Sequence, residues 1–158
     1  MTNETVTAEK TASGRQIDPN RNNSYLQHIG IVRCVPQEGD SQTELVVKPY
    51  HMNRSGLMHG GAIFSLVDSC MAGAMAKYLV PPQFCATIEC KINYLKAVRG
   101  GTLLSTSRVV HSGGRLAVIE TDVRDSENGL VARALATYMV MTPKGAPKDK
   151  APAAEAKK

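Results

Sequence analysis

Asp68 is the only formally charged side chain among the 22 residues between Arg54 and Lys77. Its surroundings are apolar or small: Ile63, Phe64, Leu66, Val67, Cys70, Met71, Ala74 and Met75. Burying an unpaired carboxylate costs several kcal/mol, comparable with the stability margin of a whole domain. Such an acid is either tied to donors from elsewhere or held for proton transfer or nucleophilic attack. A polar loop, Asn53-Arg-Ser-Gly-Leu-Met-His59-Gly60-Gly61, leads into this stretch. Glycine lets a backbone come close to a ligand. The first N–H groups of a helix have no internal acceptor and sit at the positive end of its dipole. They can stabilise a carbonyl oxygen that becomes an oxyanion, and Asn53 can give a second hydrogen bond.

The same segment thus carries oxyanion-type donors and a carboxylate, but at a distance. Gly60 and Asp68 are eight residues apart, about 12 Å along a helix at ~1.5 Å per residue. A reacting carbon has to lie about 3 Å from both groups. One chain cannot bring both to one substrate. Two antiparallel copies of the helix would set Gly60 of one chain near Asp68 of the other. A shared site at a two-fold interface is therefore expected.

The elements that must position these residues follow from periodicity. Gly60 to about Leu79 reads as a helix buried on most sides, stopped by Pro81-Pro82. A membrane span needs about 20 apolar residues; Asp68 in the middle makes this a core helix instead. Gly30–Val35 and Gln42–Lys48 are short extended runs around the turn at residues 37–40. After the prolines the period is two. Thr87 to Leu95 alternates Ile88, Cys90, Ile92 and Tyr94 against Thr87, Glu89, Lys91 and Asn93. Thr102–His111, Leu116–Arg124 and Leu130–Met141 form three further strands, joined by turns short enough for hairpins. The class is α+β, with one long helix against an antiparallel sheet of five to six strands. One helix cannot cover both faces of such a sheet, so a homo-oligomer is expected.

Charge and cysteines exclude other classes. The 158 residues carry a formal net charge of +5. Residues 143–158 hold five Lys against Asp149 and Glu155, with three Pro and no large apolar side chain; a disordered basic tail is expected there. Residues 1–23 balance to zero and are expected to be disordered or loosely packed. The remainder, the expected folded domain (24–142), is nearly neutral. With two Phe and no Trp to stack on bases, nucleic acid is not an expected partner. Cys34, Cys70, Cys85 and Cys90 contain no CxxC pair and no metal-site spacing. No apolar leader opens the chain, so reduced thiols in the cytoplasm, away from a membrane, are the expectation. No Gly-x-Ser-x-Gly elbow, P-loop or dinucleotide fingerprint occurs.

The string Asn53-x5-His59-Gly60-Gly61-x6-Asp68, followed by Ala86-Thr-Ile-Glu-Cys-Lys-Ile-Asn-Tyr94, resembles the hotdog-fold acyl-CoA thioesterases of the PaaI type. The resemblance runs from about Gly30 to Val140. It implies hydrolysis of an acyl-CoA thioester to free acid and coenzyme A, without a cofactor. In that reading the Gly60 N–H, helped by Asn53, polarises the thioester carbonyl, and His59 stands near the thioester or the leaving thiol. Asp68 activates water or attacks directly, and Thr87 takes the place of a water-orienting hydroxyl. The substrate and its coenzyme A would meet Gly61, Tyr94, Arg99 and the turn His111-Ser112-Gly113-Gly114-Arg115, and the assembly would be a dimer or a dimer of dimers. The small residues after Asp68, from Ser69 to Met75, would leave room for the acyl group. Two alternatives remain: an acyl-CoA-sensing module without turnover, and a hotdog enoyl-CoA hydratase, which suits the spacing of His59 and Asp68 less well.

Overall fold

Alternation of apolar and polar residues beyond Pro82 yields four long strands, and every strand pair among the described residues is antiparallel. The structure, a computed structural model, describes residues 9–18 and 24–144. The elements are α1 (Ser24–His28), β1 (Ile31–Cys34), β2 (Ser41–Val46), a 3-10 turn at Pro49–His51, α2 (Gly60–Met75), β3 (Phe84–Tyr94), β4 (Thr102–Ser112), β5 (Leu116–Asp125) and β6 (Leu130–Met141). The six strands form one sheet in the order β1-β2-β4-β5-β6-β3. Among the described residues no helix is long and apolar enough to cross a membrane.

α2 lies on one face of this sheet. Its Leu66, Val67, Cys70, Met71, Ala74 and Met75 are wholly buried, in one core with Leu45, Leu103, Ile119, Val123 and Ala136 of the strands. Each large apolar side chain removed from water contributes roughly 1.5–3 kcal/mol. Polar contacts fix the helix against the sheet. The Cys70 thiol donates to the carbonyls of Ser41 and Ser105, and Thr43 Oγ1 donates to the carbonyl of Leu66. At Gly73 a Cβ would stand 2.1 Å from Arg33 Nη1 and 2.4 Å from Ser41 Oγ. Glycine at this position lets the Arg33 and Ser41 side chains of β1 and β2 pack directly against the helix.

Two expectations are corrected. The helix ends at Met75 rather than near Leu79. The N–H groups of Ala76, Lys77 and Tyr78 bond back three residues, and these residues are exposed. Once the chain leaves the core, the last turn tightens to 3-10 geometry well before the prolines. The alternation in β3 is also interrupted. A bulge between Thr87 and Glu89 leaves Ile88 without a partner, with Thr87 opposite Tyr138 and Glu89 opposite Thr137. An extra residue shifts the phase of a strand. Thr87 therefore shares the helix-facing side with Cys90, Ile92 and Tyr94, which strict alternation denies it.

Residues 9–18, part of the extension expected to be disordered or loosely packed, form a short antiparallel turn through Lys10 and Gln16 and bridge the edge of β1 at Cys34. They cover Glu44, which is 2% exposed on the sheet face away from α2. Its carboxylate accepts from Thr11 Oγ1 at 2.8 Å, from the Ser13 hydroxyl and from the Ser13 N–H at 3.2 Å. The rest of the expected N-terminal extension and the tail beyond Lys144 lie outside the described residues.

Candidate active site

His59 is the N-cap of α2, and it settles which N–H of the first turn stays open. Its Nδ1 accepts from the Gly61 N–H at 2.9 Å, and its carbonyl accepts from Ala62 at 2.9 Å and Ile63 at 3.4 Å. Of the four N–H groups that a helix start leaves over, three are taken. The Gly60 N–H has no acceptor among the described residues. Since Nδ1 accepts, the proton of a neutral ring sits on Nε2.

Asn53 is held in an equally defined way. Its Oδ1 accepts from the N–H groups of Ser55 at 2.8 Å and Leu57 at 3.2 Å, and its own N–H donates to the Leu57 carbonyl at 2.7 Å. The side-chain carbonyl is thus consumed by the loop, and the amide NH2 remains as donor. Asn53 and Gly60 line one cavity of about 320 Å3, together with Tyr94 and Lys96. Tyr94 donates from its hydroxyl to the Gly60 carbonyl at 3.0 Å. A Cβ on Gly60 would meet the Tyr94 ring at 3.3 Å. Burial, and then Cys90, raise the Tyr94 phenol above its ordinary range.

Asp68 lies two turns further along α2 and faces β3 and β6. Its Oδ1 accepts from Thr87 Oγ1 and from the Tyr138 hydroxyl, each at 2.9 Å. Tyr138 is 1% exposed, and its hydroxyl also reaches the Asp68 carbonyl at 3.3 Å. Burial drives the Tyr138 phenol far above its usual range, so it stays protonated and donates. Asp68 Oδ2 has no partner among the described residues. Cys85 and Cys90 flank the site from the same face of β3. Burial, and secondarily the Asp68 charge, raise both thiols.

The structure brings the sequence candidates together in two groups. Asn53, His59, Gly60, Gly61 and Tyr94 gather at the start of α2. Asp68 and Thr87 meet further along, joined by Tyr138. Arg99 is exposed beside Val98, whose carbonyl accepts from Met58, and so belongs with the first group. The turn at residues 111–115 belongs with the second. Ala117 pairs with Tyr138, and the Arg115 carbonyl accepts from Val140 at 2.9 Å. Of the helix wall from Ser69 to Met75, expected to leave room for an acyl group, Cys70, Met71, Ala74 and Met75 are completely buried under the sheet, whereas Ala72, one turn beyond Asp68, is only partly buried. Sequence reasoning missed Tyr138. The signal was a tyrosine on the inward phase of β6 after Ala132, Ala134 and Ala136, where a polar tip needs a partner. It also missed Lys96, which enters the Gly60 cavity while paired with Asp125.

Comparison with known proteins supplies the family. A sequence profile described as the thioesterase superfamily matches residues 55–132, the stretch that holds Gly60, Asp68 and Thr87. Protein PA5202 from Pseudomonas aeruginosa shares 34% identity and a TM-score of 0.71 with this chain, over 77% of it and 96% of PA5202. The chain belongs to the thioesterase superfamily. Its fold is the hotdog fold, an antiparallel sheet around one central helix. A protein of Archaeoglobus fulgidus bearing an unproven esterase name is 35% identical over 64% of each chain. YigI of Escherichia coli, named a medium/long-chain acyl-CoA thioesterase, is 27% identical over 53% of this chain and 63% of YigI. The match thus spans under two thirds of either relative.

Proposed function

We propose that this member of the thioesterase superfamily hydrolyses acyl-CoA thioesters at sites shared between two copies of the chain. The observation that carries this reading is the pairing of one open donor with one open acceptor. Capping leaves only the Gly60 N–H free in the first turn of α2, and Thr87 with Tyr138 occupies only Oδ1 of Asp68. The Gly60 N–H and the Asn53 amide receive the thioester carbonyl oxygen. The negative charge that develops on it meets donors already in place, a contribution of about 2.7–4 kcal/mol per donor in comparable sites.

Asp68 Oδ2 takes a proton from water, and the oxygen of that water forms a bond to the carbonyl carbon. The tetrahedral intermediate collapses with cleavage of the carbon–sulfur bond. The coenzyme A thiolate leaves and takes up a proton, and the acid remains. In the nucleophilic variant Oδ2 itself bonds to the carbon, the coenzyme A thiolate leaves with the carbon–sulfur electron pair, and water then attacks the Asp68 carboxyl carbon of the resulting anhydride, releasing the acid. A single turnover in 18O water separates the two, since only the variant places label in the Asp68 carboxylate. Thr87 and Tyr138 hold the carboxylate in either case. Arg115 and Arg99 are the cations offered to the coenzyme A phosphates.

The test is release of free thiol from a panel of acyl-CoAs. Wild type turns over, whereas Asp68→Asn loses at least a thousandfold in kcat and still binds a non-hydrolysable acyl-CoA thioether. Equal, slow release by wild type and variant, with both binding the thioether, would replace the enzyme by a binding module.

A further inference from the structure

A thioester at Gly60 must send its acyl group and its coenzyme A arm in different directions, and two cavities flank the start of α2. We infer that the larger one, about 660 Å3 between α1, the 3-10 turn and α2, is the acyl subsite and takes uncharged acyl groups. The inference rests on the thioesterase reading and adds the substrate class to it. The cavity starts at His59 and Gly61, next to the open Gly60 N–H, and is floored by Ile29, Leu45 and Ala62. Its volume falls in the range of about 300–1,000 Å3 typical of small-molecule sites.

Charge separates the two cavities. None of the residues lining the larger one is Asp, Glu, Lys or Arg, whereas the smaller one holds Lys96 beside Asn53 and Tyr94. His51 forms part of the larger cavity's wall and has both ring nitrogens occupied. Its Nδ1 accepts from the Lys48 N–H and its Nε2 donates to the Ile29 carbonyl, each at 2.9 Å. It offers nothing to an incoming carboxylate. An apolar chain or ring gains from burial here, at about fourfold in kcat/KM per methylene until the space is filled. An acyl group ending in a carboxylate meets no lysine or arginine there, only the polar tips of His28, Tyr50, His59 and Ser65, and gains less than an apolar one.

Filling the cavity tests this. Ala62→Phe narrows it from the floor. Ser65→Phe narrows it from the partly exposed face of α2 and serves if the first variant does not fold. Ala97→Phe fills the smaller cavity as a control. Thiol release is measured with acetyl-, butyryl-, octanoyl- and succinyl-CoA. In wild type kcat/KM climbs from acetyl to octanoyl, and succinyl lies at least a hundredfold below butyryl. Ala62→Phe or Ser65→Phe lowers the octanoyl-to-acetyl ratio at least tenfold, and Ala97→Phe leaves that ratio unchanged. The same series of thioethers, titrated calorimetrically, gives the chain-length signature in Kd without any turnover. Absence of hydrolysis with an intact signature in Kd therefore overturns the thioesterase reading and keeps the pocket. A ratio unmoved by filling the larger cavity, or one reset by Ala97→Phe, overturns the pocket.

Discussion

Oδ1 of Asp68 is the most constrained atom of the candidate site, and Tyr138 is the residue that constrains it from the core. Thr87 sits on an edge strand and is exposed, while Tyr138 is sealed under α2. Its hydroxyl cannot turn to water, so it holds the carboxylate plane. A hydrogen bond to a charged acceptor is worth about 1.5–3 kcal/mol, and part of that here goes into orientation of Oδ2. Tyr138→Phe keeps the ring and removes the donor. The expected result is a fall in kcat of about tenfold, equivalent to ~1.4 kcal/mol, with KM within twofold. A purely structural tyrosine would instead lower the melting temperature and leave kcat per folded molecule alone. Adding Thr87→Val should cost less than the two single changes multiplied, because both donors act on one oxygen.

At the scale of elements, the sequence carries the strands and the helix in their periods. The apolar run around Asp68 is too long for a buried strand and reads as a helix buried on most sides, and the four strands after Pro82 alternate clearly. The bulge at Ile88 escaped this reading, since an inserted residue leaves composition untouched and only changes phase. Its consequence is functional: without it Thr87 would face away from Asp68. The docking of residues 9–18 escaped for the opposite reason. That segment is polar, and what recruits it is a buried carboxylate, Glu44, on a strand far along the chain. Asn53, His59, Gly60 and Asp68 were legible because each breaks its local pattern; Tyr138 fits its pattern and was passed over.

The β5–β6 pair offers a check on element stability. Arg133 donates to both carboxylate oxygens of Asp122, at 2.6 and 2.7 Å, across the ladder. That bond, opposed by partial burial and aided by the nearby arginine charges, lowers the Asp122 pKa from its ordinary 3.8. A depressed carboxylate pKa stabilises the fold above the unfolded value, and the gain is lost as pH falls through the folded one. With Arg133 exposed, solvent screens the pair and its contribution is small. Urea titrations should show Arg133→Ala slightly less stable than wild type at pH 7. The difference should vanish well below pH 3.8; a gap that persists in acid would assign the loss to packing.

At the scale of the molecule, the proposed mechanism makes each chain half of two sites. Their separation of eight positions holds Gly60 and Asp68 about 12 Å apart on a rigid helix, and the coenzyme A candidates divide in the same way. Tyr94 and Arg99 lie with Gly60, Arg115 with Asp68. The surface that must close this gap is visible. β3 ends the sheet with an open edge of 11 residues, and Phe84 and Ile88 on it are about half exposed, as are Leu116 and Leu135 on the outer face. A long apolar edge of this kind requires cover. Complementation decides whether a second copy supplies it. Asp68→Asn chains keep Asn53 and Gly60; Asn53→Ala chains keep Asp68. Each homodimer has two crippled sites. A heterodimer has one complete site, with Asn53 from the first chain and Asp68 from the second, and one site lacking both. Two-tag purification of the mixed dimer should therefore restore up to half of the wild-type kcat per dimer. If each site were built within one chain, the purified heterodimer would stay as inactive as its parents.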